Sequence, residues 1–206
     1  MTIDPQHNDI HLDELLEEPP AAETGKRFFR FMIDLLETII LAVVLYLAIN
    51  FLSARVYVEG WSMVPTFNDG DFLIVNRVAY DWGEYERGDV IVFPYPGNPE
   101  EDYIKRVIGL PGDTVQIQDG EVFVNGVPIN EPYIAEPPIN DFSLMTVPDG
   151  TVFVMGDNRN DSSDSRSWGP LDMDVVIGKA ILRYWPLDDF SLVRHPDIDL
   201  MVTASP

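Results

Sequence analysis

Cysteine is absent from the 206 residues, which excludes disulfides, a thiol nucleophile and thiolate-held zinc or iron–sulfur sites. Histidine is nearly absent: the three are His7, His11 and His195, and none falls in the middle of the chain. No His-Glu-x-x-His pair exists for zinc, and the acidic turn at 68–71 falls far short of a complete calcium loop. Basic residues are scarce, 13 against 35 acids, for a formal net charge of -22. Such a balance repels phosphate and disfavours nucleic acid as a partner. There is no repeat of fixed period. What is present is ordinary for a folded chain, with 46% hydrophobic and 23% charged residues, while 14 Gly and 17 Pro point to many turns.

Residues 1–25 hold seven acids and no Lys or Arg, and so read as a disordered acidic tail. From Thr38 to Ala54 there follow 17 residues without a charge. With the apolar turn before it, this run is long enough to cross a bilayer as a helix at about 1.5 Å per residue. The segment 26–55 is therefore expected to be a basic flank plus one transmembrane helix. Lys26, Arg27 and Arg30 precede the apolar run and only Arg55 follows it. The positive-inside rule then puts the tail in the cytoplasm and residues 56–206 outside the cell membrane.

Residues 56–206 carry 26 acids and 9 bases. Short β-branched and aromatic runs recur there between turn signals: Phe72–Val75, Val90–Phe93, Ile104–Ile108, Thr114–Ile117, Val122–Val124, Val152–Met155 and Ala180–Trp185. Asn125-Gly126 is a hairpin signal. No long amphipathic helix interrupts the strands, so the expected fold is mostly β: one all-β domain behind one N-terminal transmembrane helix. The Pro-rich stretch 128–148 reads as an irregular insertion.

Without Cys, and with His195 alone on the outer side in a stretch that reads as surface, a hydrolase built here needs another base. Carboxylates are abundant, but none stands in a diagnostic pattern. Lysine is the best candidate, and Lys105 and Lys179 are the two beyond the apolar run. A lysine base must be neutral, and at its ordinary pKa only about one molecule in 2,500 is neutral at pH 7. Burial among apolar groups supplies the shift. Lys105 shares a strand face with Tyr103 and Val107, and Arg106 shares the other with Ile104 and Ile108. On periodicity alone either face is the buried one, and an edge-strand lysine is the plainer reading. Ser62 lies on a turn between Gly60 and Pro65, near backbone amides able to hold an oxyanion. A turn serine bonding its local backbone explains it as simply.

Four blocks shift both readings: Gly60-Trp-Ser-Met-Val-Pro-Thr-Phe67, Arg87-Gly-Asp-Val-Ile-Val-Phe93, Tyr103-Ile-Lys-Arg-Val-Ile-Gly-Leu-Pro-Gly-Asp113 and Met155-Gly-Asp-Asn-Arg-Asn-Asp-Ser-Ser-Asp-Ser-Arg166. In this order, behind such an apolar run, they resemble the bacterial type I signal peptidases of the compact, single-anchor kind. The resemblance implies a serine endopeptidase that cuts signal peptides from exported preproteins after small-x-small motifs. It implies Ser62 as nucleophile, Lys105 as general base and Ser162 as the hydroxyl that orients the lysine. Asp164 and Arg166 correspond to a structural ion pair beside the site. The oxyanion would be held by the Ser62 N–H, next to Gly60, where some relatives carry a second, hydroxyl donor. Substrate pockets are expected at Val58, Met63, Tyr103 and Ile104, with no metal or organic cofactor. Asp157, Arg159, Asn160 and Asp161 keep the reading of a polar surface loop. Two other readings share features with this one: a self-cleaving regulator with the same Ser/Lys logic, and a tethered binding domain without catalysis. The apolar run and the absence of a helix-turn-helix pattern disfavour the first; the presence of both dyad residues disfavours the second.

Overall fold

In the computed structural model the described residues are 21–196 and 198. Residues 1–20, most of the expected disordered tail, lie outside them. The remainder of that tail is helical: α1 runs Ala21–Leu52, and its apolar side chains from Phe28 to Leu52 are exposed. Over Gly25–Leu52 its mean hydropathy reaches 2.3, and it is long and apolar enough to cross a membrane. The helix stops at Leu52, earlier than expected. Ser53–Tyr57 is already strand β1, in an alternating Ser-Ala-Arg-Val-Tyr pattern that suits an extended chain.

The following unit is almost entirely antiparallel sheet. Its strands are β2 (Phe72–Asn76), β3 (Val90–Tyr95), β4 (Asn98–Gly109), β5 (Thr114–Gln118), β6 (Glu121–Val124), β7 (Val127–Pro128), β8 (Phe142–Thr146), β9 (Thr151–Met155), β10 (Leu171–Asp172), β11 (Gly178–Trp185) and β12 (Ser191–Leu192). An eight-stranded sheet takes the order β1-β2-β11-β3-β4-β9-β10, with β12 on β11, and a four-stranded one the order β7-β6-β5-β8. The expected strands form, and Asn125, at a φ of 54°, opens the expected hairpin between β6 and β7. The stretch 128–148 is more ordered than an irregular insertion, because β8 within it pairs with β5.

β4 positions the site. It is an interior strand, paired with β3 and β9, and Ile104–Gly109 are buried without a break. Both faces are covered. Ile104 packs with Val58, Met63, Phe67, Leu73, Val75 and Val92, whereas Val107 packs with Ile91, Phe93 and Val154. Burying side chains of this size contributes about 1.5–3 kcal/mol each. A lysine in such a strand is therefore desolvated by its neighbours, and the edge-strand reading of Lys105 does not hold.

Candidate active site

The loop between β1 and β2 carries Ser62. Its base is closed by Val58 N–H on Asp71 O at 2.8 Å and Gly70 N–H on Val58 O at 3.0 Å. Met63 and Phe67 are buried in the core and peg the loop down. Met63 is thus core, and it does not line the groove described below, contrary to its expected place in a pocket wall. Gly60 has a φ of 94°, a conformation side chains resist, and its N–H donates to Asp69 Oδ1 at 2.8 Å.

Ser62 opens into a groove of about 830 Å³. One wall is the segment 55–62, which includes Val58 and Gly60. The other is 100–105, which includes Tyr103 and Ile104; Asp161 and Ser163 also line it. Glu59, Glu100, Glu101, Asp102 and Asp161 make the groove strongly acidic, with Arg55 the opposing guanidinium on its lining.

Lys105 reaches Ser62 from β4. Its Nζ donates to Ser62 Oγ at 2.8 Å and to Ile104 O at 2.8 Å, and it lies 4.9 Å from the centre of the Tyr103 ring. The residue is only 2% exposed. Burial draws the amine down to about 8, against the pull of the Asp164 and Asp157 carboxylates. Displacing a lysine that far corresponds to about 3 kcal/mol of lost ammonium stabilisation.

Behind the lysine, three arginine–carboxylate pairs lock the loop that follows β9. Asp164 takes Arg166 Nη2 at 2.7 Å and the Gly156 N–H at 3.0 Å, and it caps the short helix Ser165–Trp168 by accepting the Arg166 N–H. Burial would raise the Asp164 carboxyl, but the Arg166 guanidinium and the Gly156 amide hold it low. Asp157 and Arg159 are not surface residues. Asp157 is 0% exposed and meets Arg106, 1% exposed, at 2.7 Å, while also accepting the Thr66 hydroxyl. Arg159 is buried against Glu131 at 2.5 Å and donates to Gly156 O, tying 128–148 to the site loop. Asn160 and Asp161 are exposed, as expected of a polar loop, although Asn160 bonds Pro137 O and Ile139 N–H.

Ser162 makes no hydrogen bond to Lys105. Its hydroxyl is buried near the Asp164 carboxylate, without a partner at hydrogen-bonding geometry. His195 is not simply on the surface: its Nδ1 accepts the Val90 N–H at 3.3 Å. Among the described residues no group of His and acidic side chains is arranged to hold a metal ion. Two further groups were not legible in sequence. Thr66 joins the Arg106–Asp157 pair, and Asn158 bonds both carbonyls that flank the Ser62 side chain, through its N–H to Ser62 O at 3.0 Å and its Nδ2 to Trp61 O at 3.2 Å.

A serine hydroxyl against a buried, readily neutralised amine, at the floor of a peptide-sized groove, suits acyl transfer. Residues 32–185 match the family described as signal peptidase, peptidase S26. The chain is 42% identical over 186 residues to a signal peptidase I of Leptolyngbya laminosa, covering 86% of this chain and 91% of that one. It is 41% identical over 166 residues to a probable signal peptidase I of Synechocystis, covering 77% and 85%. A crystal structure of a signal peptidase I from Enterococcus faecalis is also matched, at 38% identity and a TM-score of 0.44, over 47% of this chain and 96% of that one. The chain is a hydrolase and belongs to the signal peptidases, peptidase family S26.

Proposed function

We propose that this protein is a membrane-anchored endopeptidase that removes signal peptides from exported preproteins, with Ser62 as nucleophile and neutral Lys105 as general base. The observation that carries this reading is the 2.8 Å contact between a buried amine, held at about 8, and a hydroxyl lining the groove. At neutral pH about a tenth of such amines are unprotonated, against about one in 2,500 for an ordinary lysine. The neutral Lys105 accepts the Ser62 proton as Oγ attacks the scissile carbonyl. The resulting ammonium donates that proton to the leaving amine, and the acyl group stays on Ser62. Lys105, neutral again, takes a proton from water as the water oxygen attacks the ester, then passes that proton to the departing Ser62 Oγ, which frees the cleaved signal peptide and restores both residues.

The Ser62 N–H is the donor for the developing oxyanion. Ser162 has a smaller part than the resemblance implies, since Ile104 O already takes a Lys105 proton and orients the amine. Asp164 and Arg166 serve geometry rather than chemistry. An extended substrate adds as a strand between 56–60 and 102–105, with small side chains of its small-x-small motif toward Val58, Tyr103 and Ile104. The apolar helix anchors the enzyme in the membrane plane where its substrates are held, which raises their effective concentration. The charge flanks favour a cytoplasmic N-terminus and an extracytoplasmic peptidase unit.

The test is cleavage of a preprotein by the detergent-solubilised full chain. Ser62→Ala and Lys105→Ala are expected to be folded and inactive. Wild-type cleavage by Ser62→Ala would overturn the reading.

A further inference from the structure

We propose that Asn158 is a positioning residue that aims the oxyanion donor of this enzyme by holding the far side of the same peptide unit. The inference rests on Ser62 as nucleophile and goes beyond it. The Trp61 carbonyl and the Ser62 N–H belong to one peptide bond, and that bond is trans. In a trans unit the C=O and the N–H lie in one plane and point to opposite sides. Fixing the oxygen therefore fixes the direction of the N–H.

Two donors fix that oxygen. Asn158 Nδ2 donates to Trp61 O at 3.2 Å, and the Val64 N–H donates to it at 3.1 Å. A carbonyl has two acceptor lone pairs, so its capacity is filled. The next carbonyl, Ser62 O, takes the Asn158 backbone N–H at 3.0 Å. One residue thus grips the chain on both sides of the nucleophile. Among the described residues the Ser62 N–H itself has no acceptor, and Trp61 and Ser62 both line the groove. Hydrogen bonds to the carbonyl also polarise the shared amide and strengthen its N–H as a donor.

Gly60 makes this aim matter more. It has no side chain to donate, and its own N–H is taken by Asp69 Oδ1. The Ser62 N–H then carries the oxyanion alone on this stretch of chain. Removing an oxyanion donor outright costs about 100- to 1,000-fold in kcat, so letting one swing away costs a part of that, about 10- to 100-fold. The effect belongs to the transition state, because the ground-state carbonyl asks less of the donor.

Steady-state kinetics of the full chain test this with Asn158→Ala and the near-isosteric Asn158→Asp, which has no proton to give to Trp61 O. The backbone bond from residue 158 to Ser62 O survives in both. For each, kcat is expected to fall about 10- to 100-fold with KM within about twofold of wild type. For Asn158→Ala the acid limb of the pH profile should keep its midpoint, and in both variants a peptide boronate, whose adduct on Ser62 carries the tetrahedral oxygen, should weaken by a factor similar to the loss in kcat. Unchanged kcat in either folded variant overturns the inference, as does a fall in kcat with boronate affinity untouched. Failure of the dyad itself looks different: Ser62→Ala would then still cleave.

Discussion

Lys105 and Ser62 stand 43 positions apart in the chain and 2.8 Å apart in space. An interior strand supplies one and a pegged loop supplies the other, so neither side chain is placed by its own neighbours in sequence. The amine is dry because β4 is covered on both faces, and the same burial draws its pKa down to about 8.

Activity should therefore track the neutral fraction of Lys105. Burial lowers the amine to about 8, so kcat/KM is expected to rise about tenfold per pH unit below that value and to level off above it. A pH–rate profile of the wild type checks this. An arginine in Lys105→Arg keeps its charge throughout and should show no activity at any pH.

Breaking the Arg106–Asp157 pair should unfold the protein more readily than its polarity suggests. Asp157→Asn leaves a guanidinium that is 1% exposed without its counter-charge, at an expected cost of about 3–5 kcal/mol. Urea denaturation measures it. Replacing both partners by apolar residues of similar volume should cost less than either single change.

His195 should make stability fall in mild acid. Burial first, then Lys179, lowers its pKa in the folded state, with the Asp89 carboxylate pulling the other way. The unfolded chain takes up the proton at about 6.5, while the folded one still refuses it. The contribution is complete above about 6.5 and is lost as the pH falls through the folded value. Thermal melts from pH 8 to 5 should show the decline, and His195→Gln, which still offers an acceptor to the Val90 N–H, should flatten it.

The acidic groove should discriminate among substrates by charge. Peptides placing Lys or Arg in it are expected to have higher kcat/KM than those placing Asp or Glu there, and the gap should shrink in salt. Matched peptides assayed at low and high ionic strength give the comparison. Glu100→Gln with Glu101→Gln should narrow the difference at low salt.

The apolar helix and most strands were legible because their signals are local. A long uncharged run and β-branched runs between turns each declare themselves within a few residues. β1 and β8 were not. Ser53–Tyr57 is hidden against the end of a helix, and Phe142–Thr146 becomes a strand only by finding β5, whose residues lie far earlier in the chain. Asp157 and Arg159 looked like a solvated loop for a similar reason. A charge can be buried only beside its partner, and their partners, Arg106 and Glu131, come from other elements. Met63 sits beside Ser62 in sequence, yet its side chain turns into the core.

By itself the sequence determined the scarcity that left lysine as the candidate base and the order of four motif blocks, whose family resemblance paired Ser62 with Lys105 as candidates. Whether that lysine is dry was decided by tertiary structure alone. An amine's proton affinity depends on how much water and charge surrounds it, and those surroundings are assembled from β3, β9 and the loop of Asp157 and Asp164.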